Sequence, residues 1–222
     1  MRLRPLTETI PKALIELNGE PFAFHQLRLL RRRGIEEVVY CVGYRGDQIA
    51  DAVGDGARFG IRVQYSFDGP DLLGTGGALK MAIPLLGRQF FVLYGDSFLD
   101  CDYAAVEYAY RGSGKAALMT VFKNEGRWGA SNVEFSNGRL LVYSKVRRNP
   151  RMLHIDYGLG VLAASCLDTV PSDEPTDLAT IYERLAAADE LAAFEITQRF
   201  YEVGSFAGLQ ELADILKEAR PQ

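Results

Sequence analysis

The stretch from Phe90 to Asp102, FFVLYGDSFLDCD, limits what this chain can fold into more than any other. Phe90, Phe91, Val92 and Leu93, followed by Tyr94, read as a strand buried on both faces, because a sheet covered on each side replaces alternation with a continuous apolar run. The run stops at Gly95-Asp96, which leaves a carboxylate at the C-terminal end of a core strand. In open α/β sheets ligands bind beyond those ends, so Asp96 stands where a metal or phosphate site would lie. The competing reading makes Asp96 an ordinary helix cap that accepts free backbone N–H groups.

Around this strand the apolar pattern predicts an alternation of strands and helices. An amphipathic helix over Pro21 to Arg33 precedes a strand at Ile35 to Gly43, a helix from about Arg45 to Val53 and a strand at Ile61 to Phe67. A glycine-rich turn, Gly74-Thr75-Gly76-Gly77-Ala78, opens a helix ending near Leu86. After a helix from Asp102 and a strand at Ala116 to Phe122, Ser136-Asn137-Gly138 joins two short strands in a hairpin. Gly158 to Ala164 and Ala193 to Thr197 read as strands, Thr176 to Ala188 and the last residues to Ala219 as helices. This rhythm predicts an α/β fold: a Rossmann-like, doubly wound, mostly parallel mixed sheet with a small antiparallel part. With 222 residues the chain is expected to form a single domain, residues 1–222, whose first part runs to about 115 and whose second spans about 116–222.

Charge and cysteines narrow the chemistry. The net charge of −4 provides no broad basic field, so nucleic acid is not an expected partner. Cys41, Cys101 and Cys166 are too widely spaced for a zinc site or a disulfide framework, as expected of reduced thiols. No apolar run of membrane-spanning length and no signal-peptide pattern appears, which predicts a cytoplasmic protein without a membrane partner. The glycine-rich turn lacks dinucleotide and P-loop spacing; it fits either a backbone approach to a ring or phosphate, or tight packing. His25 reads as a packed helix residue and His154 as a polar-loop residue, so neither builds a nucleophilic triad.

Four segments, taken together, closely resemble the sugar-1-phosphate nucleotidyltransferases in order and separation. They are Arg2-Leu3-Arg4-Pro5-Leu6-Thr7 with Pro11-Lys12-Ala13-Leu14, Leu73 to Leu79, Gly95-Asp96, and Tyr201-Glu202-Val203-Gly204-Ser205. The likeness runs over nearly the whole chain, and Ile155-Asp156-Tyr157-Gly158-Leu159 brings it nearest the short members acting on mannose-type or heptose 1-phosphates. It implies that a nucleoside triphosphate and a sugar 1-phosphate give a nucleotide-sugar and pyrophosphate, with Mg²⁺ required. It further implies that Lys12 and Arg2 handle phosphate charge, and that Asp96 and Glu202 bind the metal. Gly74, Thr75 and Gly76 would read the nucleobase, while Gly129, Lys145 and Asp156 would face the sugar phosphate. Ser144 departs from the pattern, standing where the family has the glutamate of a Glu-Lys pair. The partners implied are the two substrates, and a homo-oligomer is compatible with them.

The family pattern also begins with a strand and a glycine-rich phosphate loop, of which this sequence holds only Arg2. The resemblance therefore predicts either a start set too late by about 15 to 20 residues or a defective transferase. If the chain as written is the whole protein, weak or absent turnover and poor solubility are expected, because strands beside the absent one lose their partner. Two other readings stay open. One is a non-catalytic nucleotide-sugar sensor on the same fold. The other is a glycosyltransferase using Asp100-Cys101-Asp102 as an Asp-x-Asp metal motif.

Overall fold

A computed structural model describes residues 8–69, 71–172 and 174–218. After a 3-10 turn at Lys12–Leu14, the chain forms β1 (Glu16–Leu17), β2 (Glu20–Pro21), α1 (Phe22–Arg32), β3 (Glu37–Val42), α2 (Gly46–Val53) and β4 (Arg62–Phe67). Next come α3 (Gly74–Ala82), β5 (Gln89–Leu93), β6 (Ser97–Phe98), α4 (Tyr103–Ser113), β7 (Ala117–Lys123), β8 (Val133–Ser136) and β9 (Arg139–Tyr143). The chain finishes with β10 (His154–Ala163), α5 (Leu178–Ala187), β11 (Leu191–Ile196), β12 (Tyr201–Glu202) and α6 (Phe206–Glu218). None of the helices among the described residues is long and apolar enough to cross a membrane.

Contacts group the chain into two compact units, each assembled from separate stretches. The first comprises Met1–Phe67, Tyr94–Asp100 and Phe200–Gln222, the second Asp68–Leu93 and Cys101–Arg199.

In the first unit β3, α2 and β4 form a parallel βαβ crossover, with Glu37 opposite Arg62 and Val42 opposite Phe67. Its core gathers Ile15, Leu17, Phe22 and Leu29 with Phe98, Val203 and Leu212. Phe22 is an obligate core residue because it starts an amphipathic helix whose Leu27, Leu29 and Leu30 fall on the same buried stripe. That core grips the antiparallel pair β6 and β12, in which Tyr201 lies opposite Phe98 and Glu202 opposite Ser97.

In the second unit a mixed sheet runs in the order β11-β7-β10-β8-β9, with β5 also paired to β10. β7, buried along residues 117–121, pairs in parallel with β11 and antiparallel with β10. Asn137 and Gly138 close the β8–β9 hairpin with φ of 51° and 74°, the conformation an Asn-Gly turn adopts most cheaply. Leu162, Leu167, Leu178, Ile181 and Tyr182 pack with β7 to form the core. The mixed α/β class is as the sequence implies, with more antiparallel pairs among the described residues than a mostly parallel reading expects. The cause is β10, which runs against β5, β7 and β8.

Two expectations need correction. β5 is not buried on both faces: Gln89 is exposed and Phe90 to Leu93 are half-buried. A run of apolar residues reports the wish for cover, not the number of neighbours, and β10 is the strand paired with β5 among the described residues. His154 is not a loop residue either. β10 begins four residues earlier than its glycine-rich part suggests, so His154 is buried, stacks edge-on against Phe135 and bonds Glu195 Oε1 at 3.1 Å.

Candidate active site

Lys12, Asp96 and Glu202 belong to the first unit, and the fold brings them together. Pro11 leads into the 3-10 turn that carries Lys12, and the burial of Ala13 and Ile15 anchors that turn. The Lys12 ammonium donates to Asp96 Oδ2 at 2.7 Å. Asp96 sits between β5 and β6 on a segment held from behind by Gln26 of α1. Its buried amide donates to Ser97 O at 2.8 Å and to Tyr94 O at 3.4 Å. The backbone carbonyl of Asp96 accepts the Val203 N–H at 2.8 Å, which sets Glu202 beside it. Asp96 therefore caps no helix; Asp102 does that for α4 by accepting the Ala105 N–H at 3.0 Å.

The electrostatics of this trio are unbalanced. Protein atoms crowd one side of the Glu202 carboxylate, while the rest of the residue is open to solvent. That loss of water, and then the negative charge of Asp96, push its carboxyl above the usual range, while Lys12 pulls the other way. One ammonium thus serves two carboxylates, and Glu202 accepts no hydrogen bond among the described residues. Two hard oxygen donors short of positive charge fit Mg²⁺, which takes one or two protein carboxylates and completes its shell with water and substrate phosphates. No cluster of three metal-binding side chains occurs among the described residues.

The second unit holds the other candidates. Gly74, Thr75 and Gly76 are the first residues of α3 rather than a loop before it. They pack on the segment ahead of α5: Gly76 and Gly77 donate their N–H groups to Thr176 O at 2.7 and 3.3 Å, and Thr176 N–H returns to Leu73 O at 2.8 Å. These backbone groups are committed to packing, as the tight-turn reading expects. Gly74 has φ of +69°, and a Cβ there would lie 2.7 Å from Thr176 O. Gly74→Ala is accordingly expected to cost about 1–3 kcal/mol in stability, read as a lower urea midpoint at unchanged slope.

Lys145 reaches Asp177 at 3.3 and 3.4 Å from its two carboxylate oxygens. Asn132 ties the neighbouring candidates together: its carbonyl accepts the Ser144 N–H at 3.0 Å and its side chain accepts the Asp156 N–H at 2.9 Å. Gly129 O accepts from Asn124 Nδ2 at 2.9 Å, and a Cβ at Gly129 would come within 3.9 Å of Ile155. Arg2 lies outside the described residues.

Gln26, Asn124, Asn132 and Asp177 are the supporting residues that sequence reasoning missed. Only Asp177 carried a signal, as an N-cap residue before the apolar run Leu178-Ala179-Thr180-Ile181. The Asp-x-Asp reading loses ground, because Asp100 pairs with Arg33, whose Nε donates at 2.9 Å, while Asp102 is spent on its cap. A cavity along Arg88, Phe91, Glu107, Tyr110 and Arg111 contains none of the candidate residues.

A family model described as Nucleotidyl transferase matches residues 1–129. Over 105 residues the chain is 41% identical to the N-acetylmuramate alpha-1-phosphate uridylyltransferase of Neisseria meningitidis, covering 47% of this chain and 46% of that protein. Over 194 residues it is 30% identical to the UTP–glucose-1-phosphate uridylyltransferase of Synechocystis, covering 80% and 50%. The chain spans about half the length of these curated relatives. The solved inositol-1-phosphate CTP transferase from T. maritima superposes with a TM-score of 0.75 at 20% identity, covering 100% of this chain and 93% of that one. At that identity the likeness shows the fold.

Proposed function

The chain belongs to the nucleotidyl transferase family, and on that premise we propose that it is a sugar-1-phosphate nucleotidyltransferase. In the proposed reaction a phosphate oxygen of the sugar 1-phosphate attacks the α-phosphorus of a nucleoside triphosphate. The new P–O bond forms as the bond to the β-phosphate breaks, and pyrophosphate leaves with its electron pair. Both reactants are anions, so neutralising and aligning them is most of the work, and no covalent intermediate or strong general base is needed.

The observation that carries the reading is the trio of Lys12, Asp96 and Glu202. A bound Mg²⁺ would supply Lewis-acid stabilisation of phosphate charge, and Asp96 and Glu202 are the residues that would hold it. Lys12, already drawn to the same spot by Asp96 at 2.7 Å, would stabilise charge on the phosphates. In the second unit α3 would contribute nucleotide contacts, and Gly129, Lys145 and Asp156 contacts to the sugar phosphate. Side chains would have to make much of the nucleotide contact, because the Gly76 and Gly77 N–H groups are already engaged.

Pyrophosphate release across a panel of nucleoside triphosphates and sugar 1-phosphates tests the proposal. UTP with glucose 1-phosphate and with N-acetylmuramate 1-phosphate heads the panel, since the two curated relatives are named for those substrates. Release that requires both substrates and Mg²⁺ is expected. A nucleotide-sugar bound without Mg²⁺, with no pyrophosphate from any pair, would instead support the sensor reading.

A further inference from the structure

We propose that Asp177 is a positioning residue that sets Lys145 for the phosphate of the sugar substrate, an inference that rests on the transferase reading. Lys145 is constrained at both ends. Its stem follows Ser144, a buried residue whose Oγ accepts the N–H groups of Val146 at 3.3 Å and Arg147 at 3.0 Å and whose own N–H is tied to Asn132. Ser144 is thereby used to build the turn and offers no charge to the lysine. The charge comes instead from Asp177, 32 residues further along the chain.

The two partners are held very differently. Asp177 is fixed: its Oδ1 accepts the Ala179 N–H at 2.9 Å and the Thr75 hydroxyl at 3.1 Å, while Thr75 Oγ1 accepts the Leu178 N–H at 2.8 Å. The first turns of α3 and α5 therefore clasp one carboxylate, at the positive end of α5. Burial raises the Asp177 carboxyl, but the Ala179 N–H, the Lys145 charge and the Thr75 hydroxyl outweigh it and keep the group below its ordinary range. Lys145, in contrast, straddles both oxygens at 3.3 and 3.4 Å, longer than the usual ~2.7–2.9 Å of a charged N–H···O contact. A rigid anion holding a lysine loosely narrows where that long side chain can be, and still releases the ammonium to a phosphate. Part of the entropy of ordering the lysine is then spent before the substrate arrives.

Calorimetric titration of the wild type, Asp177→Asn, Lys145→Ala and the double variant with UTP and with the sugar 1-phosphate panel, in Mg²⁺, decides the matter. Asparagine caps a helix about as well as aspartate, so Asp177→Asn should keep the fold and lower the melting temperature only slightly, through the loss of the carboxylate charge. It should weaken sugar 1-phosphate binding by about five- to tenfold, the scale of ordering one long side chain, and leave UTP affinity unchanged. In the Lys145→Ala background Asp177→Asn should add no further loss, because Asp177 acts only through the lysine. Wild-type sugar 1-phosphate affinity in Asp177→Asn, or losses that multiply in the double variant, would make Asp177 a helix cap and nothing more. A wild-type protein that binds UTP but no member of the sugar panel would overturn the proposal as well. Failure of the wild type to bind UTP or any sugar 1-phosphate would overturn the transferase reading itself, and the role of Asp177 with it.

Discussion

Asp96→Asn is expected to reduce pyrophosphate release by about a thousandfold or more, the scale on which removal of a charge-stabilising group acts in a transferase site, while leaving the fold nearly untouched. The two halves of that expectation rest on different atoms. The structural role of residue 96 is played by its backbone carbonyl, which accepts the Val203 N–H and survives the substitution. Its carboxylate makes one contact that would be lost, the ion pair with Lys12, whose side chains are 48% and 31% exposed. A pair so open to water contributes at most about 1 kcal/mol. Circular dichroism and a urea titration alongside the rate assay check both halves. A variant that loses stability in proportion to activity would show that Asp96 is a structural residue.

Glu202→Gln should separate function from stability in the opposite sense. Turnover is expected to fall about a hundredfold or more, because one of the two proposed metal carboxylates is gone. Stability at neutral pH without metal is expected to rise. Glu202 binds its proton more tightly in the folded protein than the ordinary carboxyl value of 4.5 would predict, through lost hydration and the neighbouring charge of Asp96. Its favourable contribution is therefore fully present below about 4.5 and is lost as pH rises through the raised folded value, so at neutral pH the ionised carboxylate works against folding. Glutamine cannot ionise and escapes that penalty, so its advantage should vanish as pH falls toward 4.5. Thermal melts in EDTA at several pH values between 4 and 8 read this directly. Equal wild-type and variant melting temperatures across that range would remove the electrostatic argument for a cation at this position.

Why some of this was legible in the sequence and some was not can be traced to particular residues. The Asn137-Gly138 hairpin, the amphipathic stripe of α1 and the strand ending before Asp96 announce themselves locally, because each depends on residues within a few positions of one another. The half-exposure of β5 does not, since a window of apolar residues carries no count of flanking strands. His154 misled for a related reason: the polar stretch Arg147 to Arg151 suggests a loop, while burial comes from Phe135 and Glu195, residues distant along the chain. The glycines at 74, 76 and 77 are plainly unusual in sequence. Their reason is the Thr176 backbone, about a hundred positions away, which a Cβ on Gly74 would approach to 2.7 Å. Lys145 was legible as a cation of interest, but its carboxylate partner was not, because Ser144 occupies the place where a neighbouring acid would have been sought.

The same holds for the trio at the proposed metal position. Asp96 follows a strand and Glu202 lies in a short extended segment, yet only the antiparallel pairing of β12 with β6 brings the two residues near enough for the charge of one carboxylate to act on the other. Gln26, a polar residue on the buried face of α1, holds that arrangement from behind and carries no motif of its own.

Manganese binding, followed by electron paramagnetic resonance in the presence of a non-hydrolysable UTP analogue, tests the paired carboxylates most directly. Wild-type protein should bind Mn²⁺ in competition with Mg²⁺, Asp96→Asn and Glu202→Gln should each weaken it at least about tenfold, and the double variant should bind none above buffer. Mn²⁺ bound with wild-type affinity by the double variant would contradict the account.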